Sequence, residues 1–154
     1  MKEDFEKIKN VLNKAKVKYE VIDHEPVYTS EDAARVRGVD IKIGAKSMII
    51  ISDGKFYNFV LSAAKKIDWN KVKKILLSNH VGFATPEEVL DNIHCEIGSV
   101  PPFGNLYNLK VYCDSYLLEN EEIEFNAGLH TRSIRMKAKD WAQVVKPEIV
   151  DFSK

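Results

Sequence analysis

The sequence predicts a mixed α/β domain of the α+β kind: a mostly antiparallel or mixed sheet with helices packed on it. Three observations carry this. Helical and strand patterns are interspersed with no uniform β-α-β alternation. Two apolar runs, Ala45–Ser52 and Lys55–Ser62, flank Asp53-Gly54, a hairpin signal that makes at least one strand pair antiparallel. The chain is 154 residues long and 45% apolar, enough for one domain with a substantial core.

The elements follow in order. Phe5, Ile8, Leu12 and Ala15 recur at helical spacing, predicting a helix over residues 2–16. Lys18–Asp23 reads as a short strand, ended by His24-Glu25-Pro26, because the residue before a proline favours extended backbone. Thr29 or Ser30 caps a second helix with Glu31 and Asp32 at its positive end, and Gly38 closes it. After the hairpin, Asp68 caps a helix through Leu77 with Val72, Ile75 and Leu76 on one face. Gly82–Ala84 is a short strand. Thr85-Pro86-Glu87-Glu88 joins an N-cap, a proline at the first helical position and a glutamate at the third, a strong helix start. Gly98–Gly104 is a stiff loop. Leu109–Cys113, Ile123–Asn126 and Ser133–Met136 are further strands, and Ala138–Val145 is a final helix.

Composition excludes several classes. Net charge is zero, which argues against a protein that coats nucleic acid nonspecifically. The charge is uneven, however. Residues 1–77 hold 16 Lys and Arg against 11 Asp and Glu, and the second half reverses the balance. A local basic face therefore remains available to a phosphate backbone. No apolar stretch approaches the ~20 residues of a membrane helix, and the first residues lack the apolar core of a signal peptide. Cys95 and Cys113 have neither a CxxC nor a zinc spacing. A cytoplasmic protein with reduced thiols, without metal or cofactor and without a membrane partner, is the expectation.

No phosphate-binding glycine loop, HExxH motif or GxSxG elbow occurs. Four features remain. Lys46 leads an apolar strand and shares a sheet face with Met48 and Ile50, so its ammonium either holds an anion in a cavity or snorkels to water. Gly98-Ser99-Val100-Pro101-Pro102-Phe103-Gly104 has two prolines that stiffen it, suiting it to present backbone N–H groups. Asn126-Ala127-Gly128, read as small residues after a strand, permits close approach of a ligand, with His130 beyond it. Lys65, Lys66, Lys71, Lys73 and Lys74 cluster around the third helix and either track an RNA backbone or form a solvated face. The acidic segment Glu119–Glu124 reads as solvated.

These features occur together in a known order. The chain resembles the YbaK/prolyl-tRNA-synthetase-associated editing family, trans-acting aminoacyl-tRNA deacylases, from about Val21 to Val145. The resemblance rests on His24-x-Pro26, Thr29 with Asp32-Ala33-Ala34 before Gly38, and Ala45-Lys46-Ser47. It continues through Ile67-Asp68, Ala84-Thr85-Pro86-Glu87-Glu88-Val89, Gly98-x-Val100-x-Pro102-Phe103-Gly104, and Asn126-Ala127-Gly128 before Ser133-Ile134-Arg135-Met136. It implies one editing domain over residues 1–154 with a curved sheet around a pocket for the 3′ end of a mischarged tRNA. In that reading Lys46 holds the terminal phosphate or ribose, and the Gly98–Pro102 backbone fixes the aminoacyl group. His24, Thr29, Ser47, Ser99, Val100, Pro101, Phe103, Gly104, Asn126, Ala127, Gly128 and His130 then line the substrate site. The partners implied are aminoacylated tRNA and a synthetase. The rival expectation is a module that binds charged tRNA or a synthetase without hydrolysis. Ser99 and Ser47 depart from common family residues at those positions, which leaves the amino acid removed unassigned.

Overall fold

The structure, a computed structural model, describes residues 2–26 and 40–154. Thr29, the helix expected from Thr29 or Ser30 to Gly38, and the basic Arg35 and Arg37 lie outside the described residues. Among the described residues no helix is long and apolar enough to cross a membrane.

The first helix, α1 (Lys2–Ala15), buries Phe5, Ile8 and Leu12 along one stripe. Ala15 was expected to continue that stripe but is exposed. The chain leaves the helix there, with Lys16 at φ 57°, so the last turn does not reach the core. Strand β1 (Tyr19–Asp23) follows and pairs antiparallel with β7 (Arg132–Lys137), which pairs antiparallel with β6 (Glu122–Leu129). This three-stranded sheet has the order β1-β7-β6.

The second sheet is built on the hairpin. Strands β2 (Ala45–Ser52) and β3 (Lys55–Ser62) have the bounds the sequence predicts. Asp53 and Gly54 both take positive φ, as a twist-matched two-residue turn requires. Strand β4 (Val81–Phe83) pairs antiparallel with the far half of β2. Strand β5 (Lys110–Asp114) runs parallel to β3, and β8 (Glu148–Val150) parallel to β5. The order is β4-β2-β3-β5-β8. The expected mixed sheet is thus two sheets, joined by a parallel bridge between Gly44 and Glu124.

Strand β3 explains the layering. Its Phe59 and Leu61 point into one core and Val60 into another, so Phe59–Ser62 is buried on both faces. The main core lies between the sheets, α1 and α4 (Ala138–Val145), around Phe103, Phe125 and Trp141. A second core lies beneath α2 (Trp69–Leu76), with Phe152 wedged edge-on against Phe59 at 4.9 Å. A third packs β2 through Ile49 against α3 (Pro86–Ile93). The caps are as the sequence predicts. Asp68 accepts from the amides of Asn70 and Lys71, and Thr85 with Glu88 makes a reciprocal capping box.

Two expectations need correction. Asn126-Ala127-Gly128 lies inside β6 rather than after it, where the pairing to β7 shifts register between Asn126 and Leu129. Glu124 is not part of a solvated acidic segment. It is fully buried and accepts from Arg135 Nε at 3.0 Å, so the arginine neutralises a charge that burial alone would make costly.

Candidate active site

The loop from Gly98 to Gly104 is held by its carbonyls. Asn126 Nδ2 donates to the Gly98 carbonyl at 2.6 Å. Ser47 Oγ donates to the Pro101 carbonyl at 3.1 Å. The Trp141 indole N–H, fully buried, donates to the Pro102 carbonyl at 2.9 Å. The loop amides are disposed differently. Pro101 and Pro102 have none. Ser99 donates back to Glu96, Phe103 to Pro101, and Gly104 to Asn58 Oδ1. The amides of Gly98 and Val100 find no acceptor among the described residues. Gly98 takes φ 88°, a conformation that glycine adopts without strain. The loop therefore commits the carbonyls of Gly98, Pro101 and Pro102 to side chains of the protein, while two of its amides have no acceptor among the described residues.

Asn58 sets the position of this loop against β2. Its side chain, completely buried, donates to Ser47 Oγ at 2.9 Å and to the Met48 carbonyl at 3.3 Å while accepting from the Gly104 amide at 3.1 Å. The sequence reading did not single it out. A lone amide in the apolar run Phe56–Leu61 was the signal, because a buried polar side chain persists only where it is hydrogen-bonded.

A second network approaches from the three-stranded sheet. His24 lies past the end of β1. Its Nδ1 sits 2.7 Å from the Glu25 carbonyl and so carries the hydrogen, while Nε2 sits 2.7 Å from Ser133 Oγ. Ser133 lies 3.5 Å from Asn126 Oδ1, and Asn126 reaches Gly98. His130 in the β6–β7 turn contacts the Glu96 carboxylate at 3.2 Å. The β6–β7 hairpin thus grips the start of the loop at two points. Gly128, at φ 86°, lies between them.

Lys46 stands apart from both networks. It leaves β2 on the face opposite Ser47, and its ammonium donates to the Lys65 carbonyl at 2.6 Å. The segment around Lys65 is itself pinned: Lys66 exchanges two backbone hydrogen bonds with Lys154, and Asp68 donates to Phe152. Of the other expected site residues, Ser99 and Val100 are almost wholly buried, Phe103 and Ala127 are side chains of the main core, and Gly104 abuts Asn58. Among the described residues no group of three or more His, Cys, Asp or Glu is arranged to hold a metal ion.

The family model for the aminoacyl-tRNA editing domain matches residues 24–144, most of the chain and all of this site. The chain belongs to that family. The editing-family resemblance read from Lys46, the Gly98–Gly104 loop and their flanking motifs is therefore correct. Among curated editing-domain relatives, the multifunctional Ser/Thr-tRNA deacylase ProXp-y of Escherichia coli K12 is 29% identical over 147 residues, covering 92% of this chain and 88% of that one. The prolyl-tRNA editing protein ProX of Acetoanaerobium sticklandii is 23% identical, covering 88% and 86%. The fold agrees with a crystal structure described as a candidate trans-editing enzyme for prolyl-tRNA synthetase. That match has TM-score 0.85 and 23% identity, and covers 98% of this chain and 97% of that one.

Proposed function

We propose that this editing domain, as a single unit, is a cytoplasmic deacylase that hydrolyses the ester of a tRNA mischarged with a small amino acid. The observation that carries the reading is the loop whose carbonyls are committed to Asn126, Ser47 and Trp141 while the Gly98 and Val100 amides have no acceptor among the described residues. In the reaction, water bonds to the aminoacyl carbonyl carbon, the bond to the ribose oxygen breaks, and that oxygen takes up a proton. An aminoacyl ester is already activated, so positioning and charge stabilisation suffice without a nucleophilic side chain. The Gly98 and Val100 amides stabilise the carbonyl oxygen as charge develops. Lys46 holds the terminal phosphate or ribose, with the Lys65 carbonyl fixing its reach. His24, Ser47, Ser99 and Asn126 bound the amino-acid side of the site, and His130 steadies the loop through Glu96. The relatives' names, a Ser/Thr-tRNA deacylase and a prolyl-tRNA editing protein, support both the reaction class and tRNA as the partner, with a synthetase as the source of the mischarged substrate.

The test is a panel of tRNAs charged with alanine, serine, threonine, cysteine or proline, followed for ester loss above the spontaneous rate. Accelerated loss of one or two of these, abolished by Lys46→Ala, is the expected result. Binding of charged tRNA with the ester left intact across the panel refutes the deacylase in favour of a binding module.

A further inference from the structure

An aromatic pair outside the site described above lies near the end of β2 far from Lys46, with Met48 and the fully buried Ile50 between them on that face. Cross-strand partners share a face, so Phe83, which pairs with Ile50, lies on the face that carries Lys46, Met48 and Ile50. About half of the Phe83 surface is exposed. Its ring meets Trp69 edge-on, with centroids 4.8 Å apart. Trp69 opens α2, and Lys73 lies one turn further along the same helical face. α2 contains three lysines and no acid. The flanking acids are occupied: Asp68 caps the helix, and Asp151 pairs with Lys71 at 3.0 Å. Lys66, Lys73 and Lys74 make no ion pair with the described residues. From Lys46 to Ile50 is four strand residues, about 13 Å.

We infer that Trp69 and Phe83 form a stacking shelf for an unpaired nucleobase of the tRNA 3′ end, upstream of the nucleotide held at Lys46. This rests on the deacylase reading and extends it. Single-stranded RNA is bound without strict sequence readout where cations follow the backbone and aromatic faces receive the bases. Phe83, Trp69, Lys66, Lys73 and Lys74 supply that combination, and the positive charge favours a phosphate chain over an apolar protein surface.

The experiment compares native protein with Phe83→Leu, which keeps apolar volume but loses the aromatic face, and Phe83→Tyr, which keeps the face. Each is assayed on mischarged tRNA and on the corresponding aminoacyl-adenosine, which lacks the upstream nucleotides. In parallel, tryptophan emission, to which Trp69 and the fully buried Trp141 both contribute, is followed during titration with an uncharged single-stranded RNA ending in CCA, the part due to Trp69 being the part that depends on Phe83. Stacking of one base predicts that Phe83→Leu raises KM for mischarged tRNA about 10-fold or more, with kcat and aminoacyl-adenosine hydrolysis unchanged. Phe83→Tyr should behave as native, and the oligonucleotide should quench Trp69 in native protein but weakly in Phe83→Leu. An unchanged KM for Phe83→Leu overturns the shelf while leaving the deacylase standing. If native protein hydrolyses neither substrate, the deacylase reading fails and the titration alone decides. Quenching that depends on Phe83 then supports the shelf, and its absence overturns it.

Discussion

The Gly104 amide donates to Asn58 Oδ1 at 3.1 Å, and the two residues pack so tightly that a Cβ on Gly104 would lie 2.6 Å from Asn58 Cβ. The hairpin and the loop therefore meet without slack. Asn58→Ala strands the Gly104 amide and removes a donor from Ser47, and should cost about 2–4 kcal/mol by urea unfolding. Gly104→Ala should destabilise as well, because Asn58 must be displaced for the methyl to fit.

Lys46→Ala should lower the rate of single-turnover deacylation by about 100-fold or more, the scale of losing one preorganised electrostatic group. The protein should stay folded by circular dichroism, although the hydrogen bond to the Lys65 carbonyl is lost. Lys46→Arg should not restore the rate, because a planar guanidinium does not reproduce a compact ammonium.

Asn126→Ala frees the Gly98 carbonyl and lets the start of the loop shift. A displacement of about an ångström in a positioning element costs up to ~100-fold in rate. A fall in kcat of about 10-fold or more, with tRNA binding retained, is the expected outcome in steady-state kinetics.

Asp4 anchors α1 beneath the loop that follows α3. Tyr107 Oη donates to its carboxylate at 2.7 Å. Burial by itself raises the Asp4 pKa, but hydrogen bonds, that from Tyr107 among them, outweigh it, and the net direction is downward. A depressed folded pKa adds stability that is complete above the unfolded value and disappears as pH falls through the folded one. The stability difference between native protein and Asp4→Asn should therefore be present at pH 7 and shrink steadily below about pH 4 in urea titrations.

Both thiols are buried. Burial, then the Asp114 charge, pushes Cys113 up to about 12, and burial likewise raises Cys95. Reactivity follows the thiolate. A thiol reagent at about pH 8 should label neither in the folded protein and both after denaturation.

Local signals were legible in the sequence. The Asp53-Gly54 turn, the Thr85–Glu88 capping box and the Asp68 cap each depend on residues within four positions of one another, and all three formed as read. Contacts between distant parts of the chain were not legible. β8 is three residues long and pairs in parallel with β5, so neither length nor alternation marks it. Glu124 reads as one acid among several until Arg135 arrives from the neighbouring strand. For the site, residue types were readable at Lys46, Gly98–Gly104 and Asn126. The ties that orient them were not, because Asn58 and Trp141 look like ordinary strand and helix residues until the loop folds onto them.

The strap formed by Phe152 and Lys154 bears on the timing of biosynthesis. The segment carrying Lys65 is emitted from the ribosome long before the residues that pin it, and the hairpin holding Lys46 can pair while they are still unmade. A nascent chain stopped before residue 152 would thus hold the lysine on a strand but leave its carbonyl partner without the three backbone hydrogen bonds that Phe152 and Lys154 supply to Asp68 and Lys66.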